Sequence, residues 1–356
     1  MKIIISIFSL FLVSQLHWGC SEAKEKALSN EVKLLHNAQE QKVDVQVDGK
    51  LFTSYLYTDK IDDLKKTVLF PVIAANGVTI TRGFPLQPRP NERTDHPHHI
   101  GLWLNYGDVN NLDYWGNSNA IPAERKDEMG VIRNSEIIGM QGGHEKGELL
   151  VSENWLKPDG STLLKEKTNY VFYARDSLRI IDRNTTLTAL EEDVLFEDTK
   201  EGMLAIRVAR QLELPSDEPV TLSDAHGQIT EVAVLDNSGV TGHYLSSEGI
   251  EGMDVWGKRA KWVSLSGTVE NKDVSIIIFD NPENVGYPTY WHARGYGLFA
   301  ANPFGQNTFS EGKETLNFSL KANESVTLKY RFLILDGEAD KDKIERNYQK
   351  YIQGEY

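Results

Sequence analysis

The sequence predicts an all-β protein, a large antiparallel β-sandwich with a short C-terminal helix. Three observations predict it. Apolar residues mostly recur at every second position, clusters of Gly, Asn, Asp and Pro separate the apolar runs, and no glycine-rich phosphate loop joins a strand to a helix. The 356 residues are enough for a sizeable core without disulfide or metal staples. We therefore expect one β-sandwich catalytic domain over residues 42–356.

The predicted elements follow one another as strands separated by turns. Residues 43–47 alternate between valine and polar residues, Asp48-Gly49 is a turn dipeptide, and residues 51–57 are again largely apolar, which is typical of a β-hairpin. The one good helix is predicted at residues 339–353, where acidic residues come early and basic residues late, as the helix dipole favours. Further strands are predicted at residues 68–73, 149–155, 163–173, 178–187, 203–212, 274–279 and 325–335.

The first twenty residues are typical of an export signal. Lys2 precedes the apolar residues 3–13, and the sole cysteine, Cys20, follows a glycine. We expect a signal peptide at residues 1–19, lipidation at Cys20, and a polar lipidated tether at 20–41. Cleavage at another peptidase site remains the alternative, because bulky residues stand just before Gly19. The prediction is an exported lipoprotein, in the periplasm or at the outer-membrane surface of a Gram-negative bacterium.

Composition excludes two classes of protein. With 38 Lys and Arg against 52 Asp and Glu, the net charge is −14, and no block of basic residues appears, so a nucleic-acid partner is not expected. No apolar run after the N-terminus approaches the roughly 20 residues of a membrane-spanning helix. Membrane contact is therefore expected through the lipid anchor only, and an anionic ligand must be bound by local arginines.

The densest chemistry is the run Asp95-His96-Pro97-His98-His99, which holds three of the nine histidines. Histidine exchanges protons near neutral pH, so the run favours acid–base catalysis. In an extended chain, at most two of the three rings could face one pocket. We predict no cofactor, yet a divalent metal bound by His96, His98 and His99 stays open. A loop whose imidazoles only satisfy backbone groups is the structural alternative.

A second segment contains His292, Arg294 and Tyr296. Alternation along an extended strand from 290 to 296 would place the three on one face. A histidine to take a proton, an arginine to bind an anion and a tyrosine to return a proton suit proton abstraction beside a carboxylate. The structural alternative is an aromatic strand with an arginine that reaches solvent.

Two lesser segments complete the candidate site. Arg207 lies within an apolar strand and needs a partner, for which Glu201 is the prediction; such a pair could equally brace the structure. Trp256 offers a surface for stacking on a sugar, beside Arg259. A tryptophan that closes the end of the sandwich is equally compatible.

The chain resembles a bacterial family of secreted proteins that is labelled methane oxygenase A-like. The resemblance spans roughly residues 70–335. It is carried by the histidine run, by Lys200-Glu-Gly202 with Arg207, by Trp256-Gly-Lys-Arg259, and by the segment 288–305. It implies a sandwich fold like those of aldose mutarotases and several polysaccharide lyases, and hence a sugar ligand. Relatives commonly have an arginine where this chain has Ile100. The site positions that it implies are Asp95, His96, His98, His99, Asn110, Glu201, Arg207, His292 and Arg294.

These observations lead to a functional hypothesis, a carbon–oxygen lyase that acts on uronic-acid-containing oligosaccharides by β-elimination. The leaving group could be a sugar, as in a polysaccharide lyase, or water, as in an oligosaccharide dehydratase. The predicted catalytic residues are His99 and His292 as bases, Tyr296 as acid, and Glu201. The predicted substrate-binding residues are Arg82, His96, His98, Asn110, Arg207, Trp256, Arg259 and Arg294.

Three alternatives remain open at this point. A glycoside hydrolase or epimerase would use Glu201 together with a second carboxylate such as Asp95. A sugar-binding lipoprotein would use the tryptophans and arginines without needing clustered histidines. A histidine-ligated oxygenase would depend on a metal.

Overall fold

The computed structural model describes residues 29–217 and 237–355, together with two short strands between them. The predicted signal peptide and Cys20 lie outside the described residues. In chain order, the strands are β1 (Glu31–Asn37), β2 (Lys42–Val47), β3 (Lys50–Leu56), β4 (Val68–Val72), β5 (Leu102–Tyr106), β6 (Val131–Gln141), β7 (Gly143–His144), β8 (Lys146–Leu156), β9 (Thr162–Arg175), β10 (Leu178–Ala189), β11 (Val194–Phe196), β12 (Gly202–Arg207), β13 (Val220–Ser223), β14 (Ile229–Val232), β15 (His243–Ser246), β16 (Trp262–Val269), β17 (Lys272–Asp280), β18 (Tyr290–Ala293), β19 (Leu298–Asn302), β20 (Phe318–Leu320) and β21 (Ser325–Asp336).

Helices are short and few in the described part of the chain. The α-helices are α1 (Gln306–Phe309) and α2 (Lys341–Ile352), and short 3₁₀ helices lie at Ala123–Glu128, Arg210–Leu212 and Gly252–Val255. None of the helices in the described ranges is both long and apolar enough to cross a membrane.

Two large antiparallel sheets pack face to face. One has nine strands in the order β18-β19-β12-β5-β4-β3-β2-β1-β7, and the other has eight in the order β15-β16-β17-β21-β10-β9-β8-β6. Aromatic side chains from the two sheets meet in the core: Phe52 on β3 packs edge-on against Phe172 on β9 with ring centres 6.1 Å apart. The predicted all-β sandwich with a short C-terminal helix is confirmed.

The predicted hairpin forms between β2 and β3. Val43, Val45 and Val47 are all buried because their alternation points them into the core. Asp48 and Gly49 both adopt positive φ angles, 50° and 77°, as a tight two-residue turn requires.

Helix α2 covers part of the outer face of the eight-stranded sheet. Its N-cap residue, Asp340, accepts a hydrogen bond from the backbone N–H of Lys343. Ile344, Tyr348 and Tyr351 are buried in a second apolar cluster with residues of that sheet. The site described below lies on the opposite side of the molecule, on the outer face of the nine-stranded sheet.

Two predicted boundaries are wrong. The tether was expected to extend to residue 41, but β1 pairs with β2 from Val32 to Asn37, and Val32 is 1% exposed. The charged residues of this segment favoured a solvated tether, although Val32 packs into the core. The strand expected at 203–212 ends at Arg207, because the N–H of Ala209 bonds to the carbonyl of Ile80 and the chain then turns into a 3₁₀ helix.

Candidate functional site

The candidate site lies on the outer face of the nine-stranded sheet, where β5, β12, β19 and β18 are adjacent. Trp103, Ala205, Ala300 and His292 are paired residues on these four strands and so form a row across them. Their neighbours along each strand point into the main core, which places this row on the other face. Three strand spacings separate Trp103 from His292, about 14 Å. The small alanines between them leave space for side chains from the surrounding loops.

The three clustered histidines lie in a tight turn rather than in an extended run. The N–H of His99 donates to the carbonyl of His96 at 2.9 Å, and His96 has a φ of 44°. As a result, all three rings contact one another, with centres 4.4 to 5.6 Å apart. The limit of two rings facing one pocket holds only for an extended chain, so it does not apply to this turn.

The turn is poorly arranged for a metal ion. The rings of His96 and His99 lie parallel, at 1° to each other and 4.8 Å apart. Nitrogen lone pairs lie in the ring plane, so two stacked rings cannot both direct them at one ion. Among the described residues, no group of three or more His, Cys, Asp or Glu is placed to bind a metal.

Arg82 organises this turn and is not available to a substrate. Its guanidinium donates to the carbonyl oxygens of Arg93, Asp95, His96 and His99 and to the carboxylate of Asp95, at 2.7 to 3.1 Å. Its side chain is fully buried. The prediction of a substrate-binding Arg82 is wrong, because these contacts leave its terminal nitrogens occupied.

Arg207 joins the turn to β12. It pairs with Asp95 at 2.7 Å and contacts Nδ1 of His99 at 3.1 Å. The predicted partner Glu201 instead pairs with its neighbour Lys200. Sequence proximity suggested Glu201, whereas the side chain of Arg207 projects from the sheet towards the loop that crosses above it. Arg207 is itself fully buried, so it acts on the site through Asp95 and His99.

Arg294 and Tyr296 lie in the turn between β18 and β19. Strand β18 ends at Ala293, and the N–H of Gly297 closes the turn on the carbonyl of Arg294. The prediction that His292, Arg294 and Tyr296 share one strand face is therefore wrong. The turn nevertheless brings them to the same site: Arg294 Cζ is 5.7 Å from the ring centre of Tyr296, which stacks 5.1 Å from His96.

Trp256 packs beside this turn, next to Arg294. Its ring centre is 5.5 Å from Arg294 Cζ, and its indole N–H is buried with no hydrogen-bond partner in the described chain. No carboxylate of the described ranges pairs with Arg294: Asp95 pairs with Arg82 and Arg207, and Glu201 pairs with Lys200. Arg294 is thus a cation of the site that has no carboxylate partner in the described ranges.

Burial governs the protonation of the site's titratable groups. It lowers the pKa of His292 to about 4, although the charge of Glu201 opposes the shift. Burial also lowers the pKa of His98 and His99 well below the ordinary value and raises the pKa of Tyr296. The imidazoles of His98, His99 and His292 are therefore neutral at pH 7, and the phenol of Tyr296 keeps its proton.

Two predicted substrate-binding residues are held elsewhere. Asn110 bonds to the start of β11, donating to the carbonyl of Asp193, just before the strand, and accepting from the N–H of Leu195 within it. Arg259 donates to two carbonyl oxygens and pairs with Glu314 at 2.6 Å. Both side chains stabilise loops, so both assignments are wrong.

Sequence reasoning missed Lys66 and gave no role to Trp115. The ammonium of Lys66 donates to the carbonyl of His98 at 2.6 Å and lies 5.0 Å from the ring centre of Trp103. Burial lowers the pKa of Lys66 to about 7. Trp115 packs edge-on against His99, and its indole N–H has no partner among the residues described. The available signal for Lys66 was a lysine two residues before an apolar strand.

A family model matches residues 42–349, and its description is "Family of unknown function (DUF6807)". The chain belongs to this family. The DUF6807 match contains every residue of the site described above, from Lys66 to Tyr296, and excludes β1. The resemblance to methane oxygenase A-like proteins stays a prediction. No curated protein matches the chain.

Solved structures share only a distant likeness with this DUF6807 chain. A GH36 alpha-galactosidase, AgaB from Geobacillus stearothermophilus, is 11% identical with a TM-score of 0.38, covering 86% of this chain and 41% of its own. The alpha-galactosidase from Lactobacillus brevis is 10% identical with a TM-score of 0.36, covering 90% and 41%. The Slr1438 protein from Synechocystis sp. PCC 6803 is 10% identical with a TM-score of 0.32, covering 85% and 95%. The chain thus spans about two fifths of the galactosidases' length.

Proposed function

We propose that this protein is a carbohydrate-active carbon–oxygen lyase that acts on uronic-acid-containing oligosaccharides by β-elimination, with a sugar or water as the leaving group. The observation that carries the proposal is Arg294, whose guanidinium lies between Trp256 and Tyr296 with no carboxylate partner in the described ranges. A sugar carboxylate supplies the missing counter-charge, and charge-assisted hydrogen bonds to arginine are strong and directional. The indole of Trp256 offers a stacking surface for the same sugar.

The neighbouring side chains fit the steps of an elimination. A base removes the proton at C5, the electron pair delocalises into the carboxylate bound by Arg294, and the bond from C4 to the leaving oxygen then breaks. That oxygen takes a proton from Tyr296, whose hydroxyl stays protonated at neutral pH because burial raises its pKa. A neutral histidine is the base, since a protonated one has no lone pair to offer. Export would bring the enzyme to polysaccharides outside the cell.

A glycoside hydrolase is the second candidate, and one observation favours it. Hydrolysis needs two carboxyl groups, one of them protonated. Asp95 does not qualify: although burial opposes it, the guanidinium of Arg207 and the hydrogen bond from His96 hold the pKa of Asp95 well below its usual range. Asp113 is the better candidate for the acid, because burial raises its pKa and the charge of Glu201 adds to the rise, although hydrogen bonds from the backbone N–H groups of Gly116 and Trp115 oppose it.

Product analysis separates the two candidates. The protein is incubated with a panel of uronic-acid oligosaccharides, and the ultraviolet absorbance of the conjugated C4–C5 double bond is followed. Elimination produces this double bond, whereas hydrolysis produces only new reducing ends. We expect absorbance to grow with the acidic oligosaccharides and not with the same sugars after reduction of the carboxyl group to an alcohol, because C5 is then no longer acidic.

Variants test the assignment of the carboxylate contact. Arg294→Gln should lower both substrate affinity and turnover, whereas Tyr296→Phe should lower turnover by ~10²–10⁴ with little change in affinity. The control is His144→Gln, an exposed histidine on β7 at the opposite edge of the same sheet. Full turnover of carboxyl-reduced substrate, or release of reducing ends without unsaturation, would replace the lyase with the hydrolase.

A further inference from the structure

We infer that Asp95 and His96 form the base of the site, and that Arg207 fixes the neighbouring His99 in the opposite tautomer, as a hydrogen-bond donor. The inference rests on the proposed elimination, for which it names the group that takes the C5 proton. It departs from the sequence prediction, which gave the base role to His99 or His292. The geometry of the two histidine contacts carries it.

The tautomer of His99 follows from its contact with Arg207. A guanidinium has only N–H donors and no acceptor, so the 3.1 Å contact between Arg207 Nη1 and His99 Nδ1 requires a lone pair on Nδ1. The neutral ring then carries its proton on Nε2. This Nε2 is buried and has no hydrogen-bond partner in the described ranges. His99 therefore offers an N–H group to a ligand and has no free lone pair with which to take a proton.

The tautomer of His96 is the reverse, because its partner is a carboxylate. Asp95 Oδ2 lies 2.9 Å from His96 Nδ1 and accepts the hydrogen bond, which places the proton on Nδ1 and the lone pair on Nε2. Asp95 is fixed from its other oxygen, Oδ1, by Arg82 at 3.0 Å and by Arg207 at 2.7 Å. A carboxylate held this way cannot rotate, so it orients the imidazole and stabilises the cation that forms when Nε2 takes a proton.

The backbone and position of His96 suit a base. Its φ of 44° lies in the left-handed region, which few residues with a side chain adopt. Arg82 holds it there through the carbonyl of His96 at 2.9 Å. The side chain of His96 is 41% exposed, so a substrate can reach it, whereas His99 and His292 are 1% and 2% exposed. Its ring is parallel to that of Tyr296, with ring centres 5.1 Å apart, so base and acid stand side by side.

The first test reads the tautomers directly and does not need activity. In the ligand-free full chain labelled with ¹⁵N, long-range proton–nitrogen correlation spectra distinguish protonated from unprotonated ring nitrogens. We expect His96 to carry its proton on Nδ1 and His99 to carry it on Nε2. The variants His96→Gln and His99→Gln assign the signals. A proton on Nε2 of His96 or on Nδ1 of His99 overturns the inference.

The second test uses Asp95→Asn. The asparagine carbonyl can still accept from both arginines, but its NH₂ group now faces His96 Nδ1 and forces the proton to Nε2. We expect turnover to fall by ~10²–10⁴ with KM changed only a few-fold, and the His96 spectrum to show the reversed tautomer. His96→Gln should lose as much, and the double variant no more than either single one, because the pair acts as a unit.

Controls separate this inference from the proposed function. Asp159→Asn alters an exposed turn whose carboxylate bonds to Ser161, and it should leave turnover unchanged. If the wild type carries out elimination and His96→Gln keeps full turnover, the base assignment is wrong and the proposed lyase activity is retained. Absence of elimination in the wild type overturns the lyase, while the spectra still decide the tautomers.

Discussion

The hydrogen-bond and ion-pair partners of each charged side chain decide what that side chain can do at the site. Asp95 receives hydrogen bonds from Arg82, Arg207 and His96, so it orients its neighbours and does not transfer protons itself. Arg294 has no carboxylate partner in the described part of the chain, so its charge is open to an anion. The same residue type thus has opposite roles at positions 207 and 294, and only the partners distinguish them.

His292 provides a prediction at this scale. Burial lowers its pKa to about 4, Glu201 opposes the shift, and Arg294 and Lys200 add to it. In an NMR titration, its ring protons should therefore shift near pH 4. Glu201→Gln should lower this pKa further, because it removes a negative charge near His292. Lys200→Met should raise it, because it removes a positive charge there. A His292 that titrates near the ordinary value of 6.5 would contradict the burial found here.

At the scale of elements, the strands form a platform and the turns carry the chemistry. The histidine turn and the β18–β19 turn lie over the same four strands, and Ala205 and Ala300 beneath them are small enough to let both approach. The histidine turn has no regular backbone ladder of its own. Its shape depends on Arg82, which donates to its backbone carbonyl oxygens the hydrogen bonds that a neighbouring strand would otherwise donate.

Arg82→Lys tests this dependence. A lysine ammonium cannot reproduce the fork of contacts that the guanidinium makes, so buried carbonyl oxygens are left unpaired. We expect the free energy of unfolding to fall by at least about 2 kcal/mol. Amide hydrogen exchange should rise in residues 93–99 more than in the strands. Arg125→Lys, which alters an exposed pair with Glu128, is the matched control and should change neither measurement. Unchanged exchange in 93–99 would show that the turn holds without Arg82.

Across the whole molecule, a polar bridge joins the two sheets inside the core. Glu153 on β8 accepts hydrogen bonds from Tyr55 on β3 at 2.6 Å and from Thr67 at 2.7 Å. Close by, Arg183 pairs with Glu166 at 2.7 Å. Burial and the charge of Glu166 raise the pKa of Glu153 to about 8, so its carboxyl group is protonated at neutral pH.

This bridge predicts how stability depends on pH. Because the folded-state pKa of Glu153 lies above its ordinary value of 4.5, folding binds the proton more tightly, and the resulting stability is present below pH 4.5 and lost as pH rises through about 8. Over that window we expect its contribution to the free energy of unfolding to fall by more than about 1.4 kcal/mol, the equivalent of one pKa unit. Glu153→Gln mimics the protonated acid and should remove this part of the dependence in denaturant titrations at several pH values. Glu148→Gln, an exposed change on the same strand, should keep it. An equal pH dependence in both variants would contradict the assignment.

The sequence by itself determined the sandwich, the β2–β3 hairpin, helix α2 and several of the residues that meet at the site, although not Lys66. These features depend on local patterns, such as the alternating valines of β2 and the early acidic residues of α2, which act within a few residues of each other. The sequence also singled out His96, Tyr296 and Arg294, because unusual residue types cluster near them.

Only the tertiary structure decided what each of those residues does. Arg82 and Arg207 are both predicted from the sequence to bind substrate, yet both bond to Asp95, which lies 112 residues before Arg207. The tautomers of His96 and His99 depend on which partner reaches Nδ1, a carboxylate or a guanidinium. Burial, which sets the pKa values of His292 and Glu153, is likewise a property of the packed sheets. No local pattern contains this information, because hydrogen bonding and desolvation depend on distances in space and not on separation along the chain.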